Sequence, residues 1–226
     1  MRMHSTSSGM KNKLSCFLAL LASSTPQIAL AHQPARAFTA DLTVSVFNDA
    51  DVPQPVLAEA RIRANLVLRR AGVSVLWLDC GTPANRPLNS ECSALSFPQH
   101  LSVRLVSTPS GGTQDTFGQS FQNAAGEGNY AVVYFRVLTA LKSAEGMRTG
   151  DLLGFVVAHE LGHLLLGRDS HSPTGLMSPV WQLEEMHQAA RGNLFFTEQQ
   201  QDLIRARYLA ALSKKQNERI QADSGK

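Results

Sequence analysis

Residues 151–181 read DLLGFVVAHELGHLLLGRDSHSPTGLMSPVW, and the fold of the chain turns on how they are read. Asp151 can cap a helix that runs through Leu166, with Leu153, Phe155, Val156, Leu161, Leu164 and Leu165 spread nearly all the way round it. A helix apolar on every side is central and buried. Two histidines and a glutamate inside it therefore need a chemical reason. His159 and His163 stand at i and i+4, so both rings project from one face about one turn apart and can aim a nitrogen at a single ion. Glu160 is turned by about 100° from His159, which suits it to address a water beside that ion. This is the mechanical content of an H-E-x-x-H motif. The plainer reading is two core histidines satisfied by backbone carbonyls, and the placement of the motif in an otherwise apolar helix weighs against it.

A catalytic zinc takes three protein ligands and keeps one open position. Gly167 stands where a helix-ending residue belongs, so the third ligand must come from beyond the turn. Asp169 and His171 can each fold back toward the ion, and both are acceptable zinc donors. Residues 175–179 then make a second turn.

Residues 159–181 resemble the active-site region of the metzincin metalloproteases, most closely the matrixin branch. The matching residues are His159, Glu160 and His163, the glycine Gly167, His171 followed by Ser172, Leu176 with Met177, and Pro179 with Trp181. The spacing departs from the family's pattern. Gly167 falls one residue late and His171 two residues late, whereas strict spacing would place Leu166 at the glycine and Asp169 at the third ligand. His171 is preferred and Asp169 is the alternative.

The resemblance implies an α+β fold. A mixed twisted sheet and two long helices would form an upper lobe, above a small lower lobe with a Met-turn and a C-terminal helix. It implies a secreted zinc-dependent endopeptidase in which Glu160 is general base toward a water held on Zn2+. The peptide or protein substrate would lie extended against an edge strand, for which residues 130–136 are the candidate. Trp181 and Pro179 would line the pocket for the residue after the scissile bond, although Trp181 could equally be a core aromatic. Met177 would floor the site without binding the ion.

Three rival readings stand beside this one. Glu184 or Glu185 could be a downstream carboxylate ligand, against the plainer view of a solvated pair after a turn. The chain could be a secreted zinc-binding module without turnover, which Glu160 argues against because binding alone does not need it. The same site could also hydrolyse a non-peptide amide. His100 and His187 are expected to be ordinary surface or edge residues.

Upstream, Leu42, Val44 and Val46 alternate with polar residues over 41–47, the pattern of a half-buried strand. Pro53 and Pro55 introduce a helix with Val56, Ala60, Ala64, Val67, Leu68 and Ala71 on one face, which Gly72 ends. Residues 73–78 follow as a strand parallel to the first. Residues 101–106 are a third strand. The glycine-rich stretch 108–129 is either a functional loop or the cover for a short strand around 118–122. Residues 130–138 are expected to be a strand. Thr197 and Gln200 have capping-box spacing at the start of a last helix, expected to end near Leu212 before a flexible tail at 214–226.

The chain has 226 residues, 43% of them apolar and 17% charged, which excludes a disordered or coiled-coil protein. No stretch offers the roughly 20 apolar residues of a membrane anchor. Arg2, Lys11 and Lys13 are the only charged side chains among residues 1–31, so 18 of the 21 basic residues remain to balance 18 acidic ones. That leaves no electrostatic footprint for nucleic acid. The basic start, the apolar run 14–22 and Ala29-Leu30-Ala31 form the pattern of a secretory signal cleaved near Ala31. Residues 32–213 would then be the catalytic domain, secreted or periplasmic. Cys16 would leave with the signal, and Cys80 and Cys92 would pair as a disulfide.

Overall fold

The computed structural model describes residues 40–82, 90–108 and 116–224. The expected signal and its cleavage point at Ala31 lie outside them. The alternating run at 40–48 forms strand β1 (Ala40–Asn48), with Leu42, Val44 and Val46 buried. Helix α1 (Gln54–Arg70) follows, begun by Pro53 and Pro55 and burying Leu57, Ala60, Ala64, Val67 and Leu68. It stops where Gly72 takes φ +83°, a backbone state open to glycine at little cost. Strand β2 (Val73–Asp79) then returns parallel to β1. Strand β3 (His100–Val106) lies parallel on the other side of β1. Between β2 and β3, Cys92 in the short 3₁₀ turn Ser90–Ser93 forms the expected disulfide with Cys80 (Cα–Cα 5.9 Å).

The glycine-rich stretch does hide a short strand, β4 (Gly118–Phe121). It pairs antiparallel with β5 (Tyr130–Tyr134), which is itself parallel to β3. The sheet order is β2-β1-β3-β5-β4. Residues 130–136 are therefore not the edge proposed for substrate: β5 is bonded on both sides, and β4 ends the sheet. The strand also stops at Tyr134, where 130–138 had been expected. Helix α2 (Phe135–Glu145) takes over, and Leu138 is buried at helical spacing from Phe135. A short apolar run does not distinguish the two periods.

Helix α3 (Thr149–Leu166) carries the motif and is buried along most of its length. It packs on α1 with little space between backbones, since a Cβ on Gly154 would lie 2.5 Å from the carbonyl oxygen of Ala60. α1 and α3, of 17 and 18 residues, thus pack together in an α+β fold with a five-stranded mixed sheet.

Three further expectations are corrected. Where a solvated Glu184–Glu185 pair was expected, helix α4 (Leu183–Ala190) forms, and the buried Glu185 side chain accepts from the Gln182 backbone N–H in a capping box. His100 is not a surface residue: it is buried, with Nε2 2.8 Å from Ser45 Oγ. The last helix, α5 (Glu198–Ser224), continues well past Leu212. Residues 213–224 contain neither glycine nor proline to stop it, and Lys215 reaches back to Ser96 and Gln99.

Candidate metal centre

The last two turns of α3 present His159 and His163 side by side, their Nε2 atoms 3.1 Å apart. Gly167 (φ +85°) and Asp169 (φ +54°) then reverse the chain. The reversal brings back His171, whose ring centroid lies 4.7 Å from that of His163 and 5.7 Å from that of His159. One nitrogen from each ring falls within 4.8 Å of the others. Asp169 is exposed at the turn and is outside this group. Glu184 and Glu185 are outside it too, Glu184 being turned to solvent toward Arg191. His187 is exposed on α4.

Each ring on α3 is held through its other nitrogen. His159 Nδ1 lies 2.7 Å from the carbonyl of Leu176, which can only accept, so that nitrogen carries the proton and Nε2 keeps its lone pair. His163 Nδ1 lies 2.7 Å from Ser170 Oγ. The Leu176 carbonyl also accepts from the indole N–H of Trp181 at 3.0 Å, so the tryptophan fixes the group that orients His159. Met177 is fully buried beneath the motif, its sulfur 2.7 Å from where a Cβ on Gly162 would stand. It packs against the motif helix.

Burial pushes the pKa of His159 down to about 4, with the Leu176 carbonyl opposing and His171 assisting. Burial, then the neighbouring His159 and His171, pushes His163 down to about 3. Both rings are therefore neutral at physiological pH. The two Nε2 atoms, 3.1 Å apart, are close enough to address one ion. The donor set fits: the described residues hold a three-histidine group that could bind zinc.

Glu160 is only 4% exposed. Ser120 of β4 sits beside it, with Oγ 2.6 Å from Oε2 and 2.8 Å from the Glu160 carbonyl oxygen. Burial raises the carboxyl pKa to about 7, and the Ser120 hydrogen bond works in the other direction. Gly118 leaves the room for this seat, because a Cβ there would lie 2.6 Å from Oε1. Gln122 donates from its side chain to the carbonyl of His163. None of Gly118, Ser120, Gln122 or Ser170 was singled out from the sequence as a site residue. The one usable signal was the short strand hidden at 118–122.

The site opens into a cleft of about 960 Å³ lined by Phe117, Val156, Trp181 and Met186 as well as the motif residues. Trp181 is half-buried, its ring 6.1 Å from both His159 and Phe117, and Pro179 stands exposed at the rim. Glu160 is the one formally charged side chain among the described residues of that lining. No described helix is long and apolar enough to cross a membrane.

No protein-family model and no curated protein matches the chain. Among solved structures it is similar to an archaemetzincin of Methanopyrus kandleri (TM-score 0.48, 16% identity, 77% of this chain and 97% of that one). It is also similar to a zinc-dependent peptidase of Methanocorpusculum labreanum (0.49, 15%, 71% and 99%). A third similar structure is metalloproteinase-II of Bacteroides fragilis (0.45, 15%, 79% and 55%).

Proposed function

We propose that this chain is a secreted zinc-dependent endopeptidase of matrixin-like type, with His159, His163 and His171 as the metal ligands and Glu160 as the general base. The observation that carries the reading is the gathering of three imidazole nitrogens beside a buried carboxyl at an open cleft. A site that only stored metal would have no use for Glu160, whose burial disfavours its charged form and leaves a carboxyl poised to exchange a proton near neutrality.

A zinc ion held by the three rings supplies Lewis acidity toward a carbonyl oxygen and toward water. Glu160 takes a proton from the attacking water as its oxygen bonds the carbonyl carbon, and passes that proton to the leaving amine. Ser120 holds the carboxyl in place for both transfers. An extended peptide adds to β4, the end strand of the sheet among the described residues, where main-chain hydrogen bonds supply affinity. Trp181 and Pro179 receive the side chain after the scissile bond. Export rests on the pattern at residues 1–31, and the Cys80–Cys92 disulfide agrees with an oxidising compartment.

The test is cleavage of a quenched peptide library by zinc-loaded wild type and by equally loaded Glu160→Ala. Turnover by the wild type alone is expected. Equal turnover by both would overturn the role of Glu160, and no turnover by either, with zinc tightly bound, would point to a binding module.

A further inference from the structure

The capping box at the start of α5 has one group too many for capping. Gln200 Oε1 accepts from the backbone N–H of Thr197 at 3.0 Å, and the Gln200 backbone N–H donates to Thr197 Oγ1 at 3.3 Å. Those two bonds complete the cap. The Gln200 amide nitrogen is left over, and it points to the ligand loop. It donates to the carbonyl of Ser170 at 3.1 Å and to Ser172 Oγ at 3.0 Å. Gln200 is 7% exposed, and both hydrogens and the oxygen of its amide are engaged.

The two residues it grips flank His171 on either side. Ser170 also places its hydroxyl on Nδ1 of His163. Ser172 is held independently, its hydroxyl donating to the Thr174 carbonyl and its backbone N–H to that of Met177. One amide thus ties the helix-borne ligand His163, through Ser170, to the loop-borne ligand His171. A clamp of this kind matters because His171 is exposed and reaches the centre from a loop, five residues beyond the end of α3. A loop ligand must be ordered when it binds, and any order already present lowers that cost.

We infer that Gln200 is a positioning residue for the metal centre, holding the His171 loop in its ligating conformation by a clamp separable from its capping role. The inference rests on the reading of His159, His163 and His171 as metal ligands. Groups that orient ligands from outside the coordination sphere set metal affinity by about 10–100-fold in known sites. Gln200 acts one step further out, so the lower end of that range is expected.

The two roles can be separated by substitution. Gln200→Glu keeps an acceptor for the Thr197 N–H, and so keeps the cap, but replaces the donor facing the Ser170 carbonyl with a second carboxylate oxygen. Thr197→Ala removes one capping bond and leaves the clamp untouched. Zinc affinity is measured for the full chain by competition with a chromogenic chelator, beside thermal melts of the same preparations. The expected result is about tenfold weaker zinc binding for Gln200→Glu, together with a lower metal-free melting temperature because the part-buried Ser170 carbonyl loses its donor. Thr197→Ala should also lower the melting temperature but leave the affinity unchanged. Should Gln200→Glu fail to fold, Ser172→Ala removes one partner of the same amide and carries the test, with several-fold weaker binding expected. Equal affinities for wild type and clamp variant would overturn the clamp alone. A wild type that binds no zinc would overturn the metal reading on which it stands.

Discussion

Gly162 lies inside the H-E-x-x-H motif, and replacing it with alanine sets two physical effects against each other. Helix propensity favours the change by about 0.8–1 kcal/mol, because glycine in a helix interior gives up more backbone freedom than alanine. Packing opposes it. The new Cβ would stand 2.7 Å from Met177 Sδ on one side and 2.7 Å from Phe196 Cε1 on the other. Ordinary carbon contacts are about 3.5–4.0 Å, so the overlap approaches roughly 1 Å on both sides at once. Met177 and Phe196 are 0% and 3% exposed, and neither can swing into solvent. Such overpacking costs about 1–3 kcal/mol, and with both neighbours confined the upper half applies. The net expectation is destabilisation by about 1–2 kcal/mol, a fall of roughly 3–6 °C in melting temperature for a domain of this size. Displacing Met177 also disturbs the adjoining Leu176 carbonyl that holds His159 Nδ1, so zinc affinity should drop as well. Scanning calorimetry and a zinc competition titration read the two effects. A melting temperature that rose by roughly 2–4 °C, as propensity alone demands, with unchanged zinc affinity, would refute the packing of Met177 beneath the motif.

Ser120→Ala should lower kcat on the order of tenfold without weakening zinc binding. Because the lost hydrogen bond is what draws the Glu160 pKa downward, the acid limb of the pH–rate profile should move to higher pH; an unmoved limb contradicts the seat. In chelator-treated protein, His159 and His163 have pKa values of about 4 and about 3 against an ordinary 6.5. The unfolded chain then binds more protons below pH 6.5, so stability falls as pH drops through the window from 6.5 to 4 and below. Glu160 opposes this between 4.5 and about 7, since its raised pKa makes the folded state the better proton binder there, and the steepest loss lies below pH 4.5. Melts at pH 6.5, 4.5 and 3.5 check the sign, and a midpoint rising from 4.5 to 3.5 counts against it. Arg207→Ala removes a guanidinium that donates to the Leu165 carbonyl at the end of α3 and to the Gly126 carbonyl. A loss of about 1–3 kcal/mol is expected in urea unfolding, and an unchanged midpoint would show that α5 does not cap the motif helix.

The parts of this protein legible from the chain are those governed by neighbours within one or two turns. The i, i+4 histidines, the all-round apolar helix, the stops at Gly72 and Gly167 and the Thr197–Gln200 cap each follow from short-range geometry, and all of them stand in the structure. The errors cluster where two local readings have nearly equal merit. The apolar run 130–138 satisfied a strand throughout, yet the backbone turns helical at Phe135. Glu184 and Glu185 looked alike and solvated, yet one caps a helix and the other faces water.

The choice between Asp169 and His171 shows the same limit at the site itself. Both are sound zinc donors near enough in sequence. What separates them is the reversal after α3: Asp169 lies in the turn at φ +54°, exposed, and His171 arrives two residues later when the chain is heading back. The edge of the sheet depends on a longer-range event still, the pairing of residues 118–121 with 130–133 that moves β5 inside. Ser120 then meets Glu160 across 40 residues of chain. Periodicity and spacing encode which face of one element carries the chemistry. They do not encode which other element closes over it, because that is settled by competition among distant surfaces for the same apolar face and the same free backbone edge.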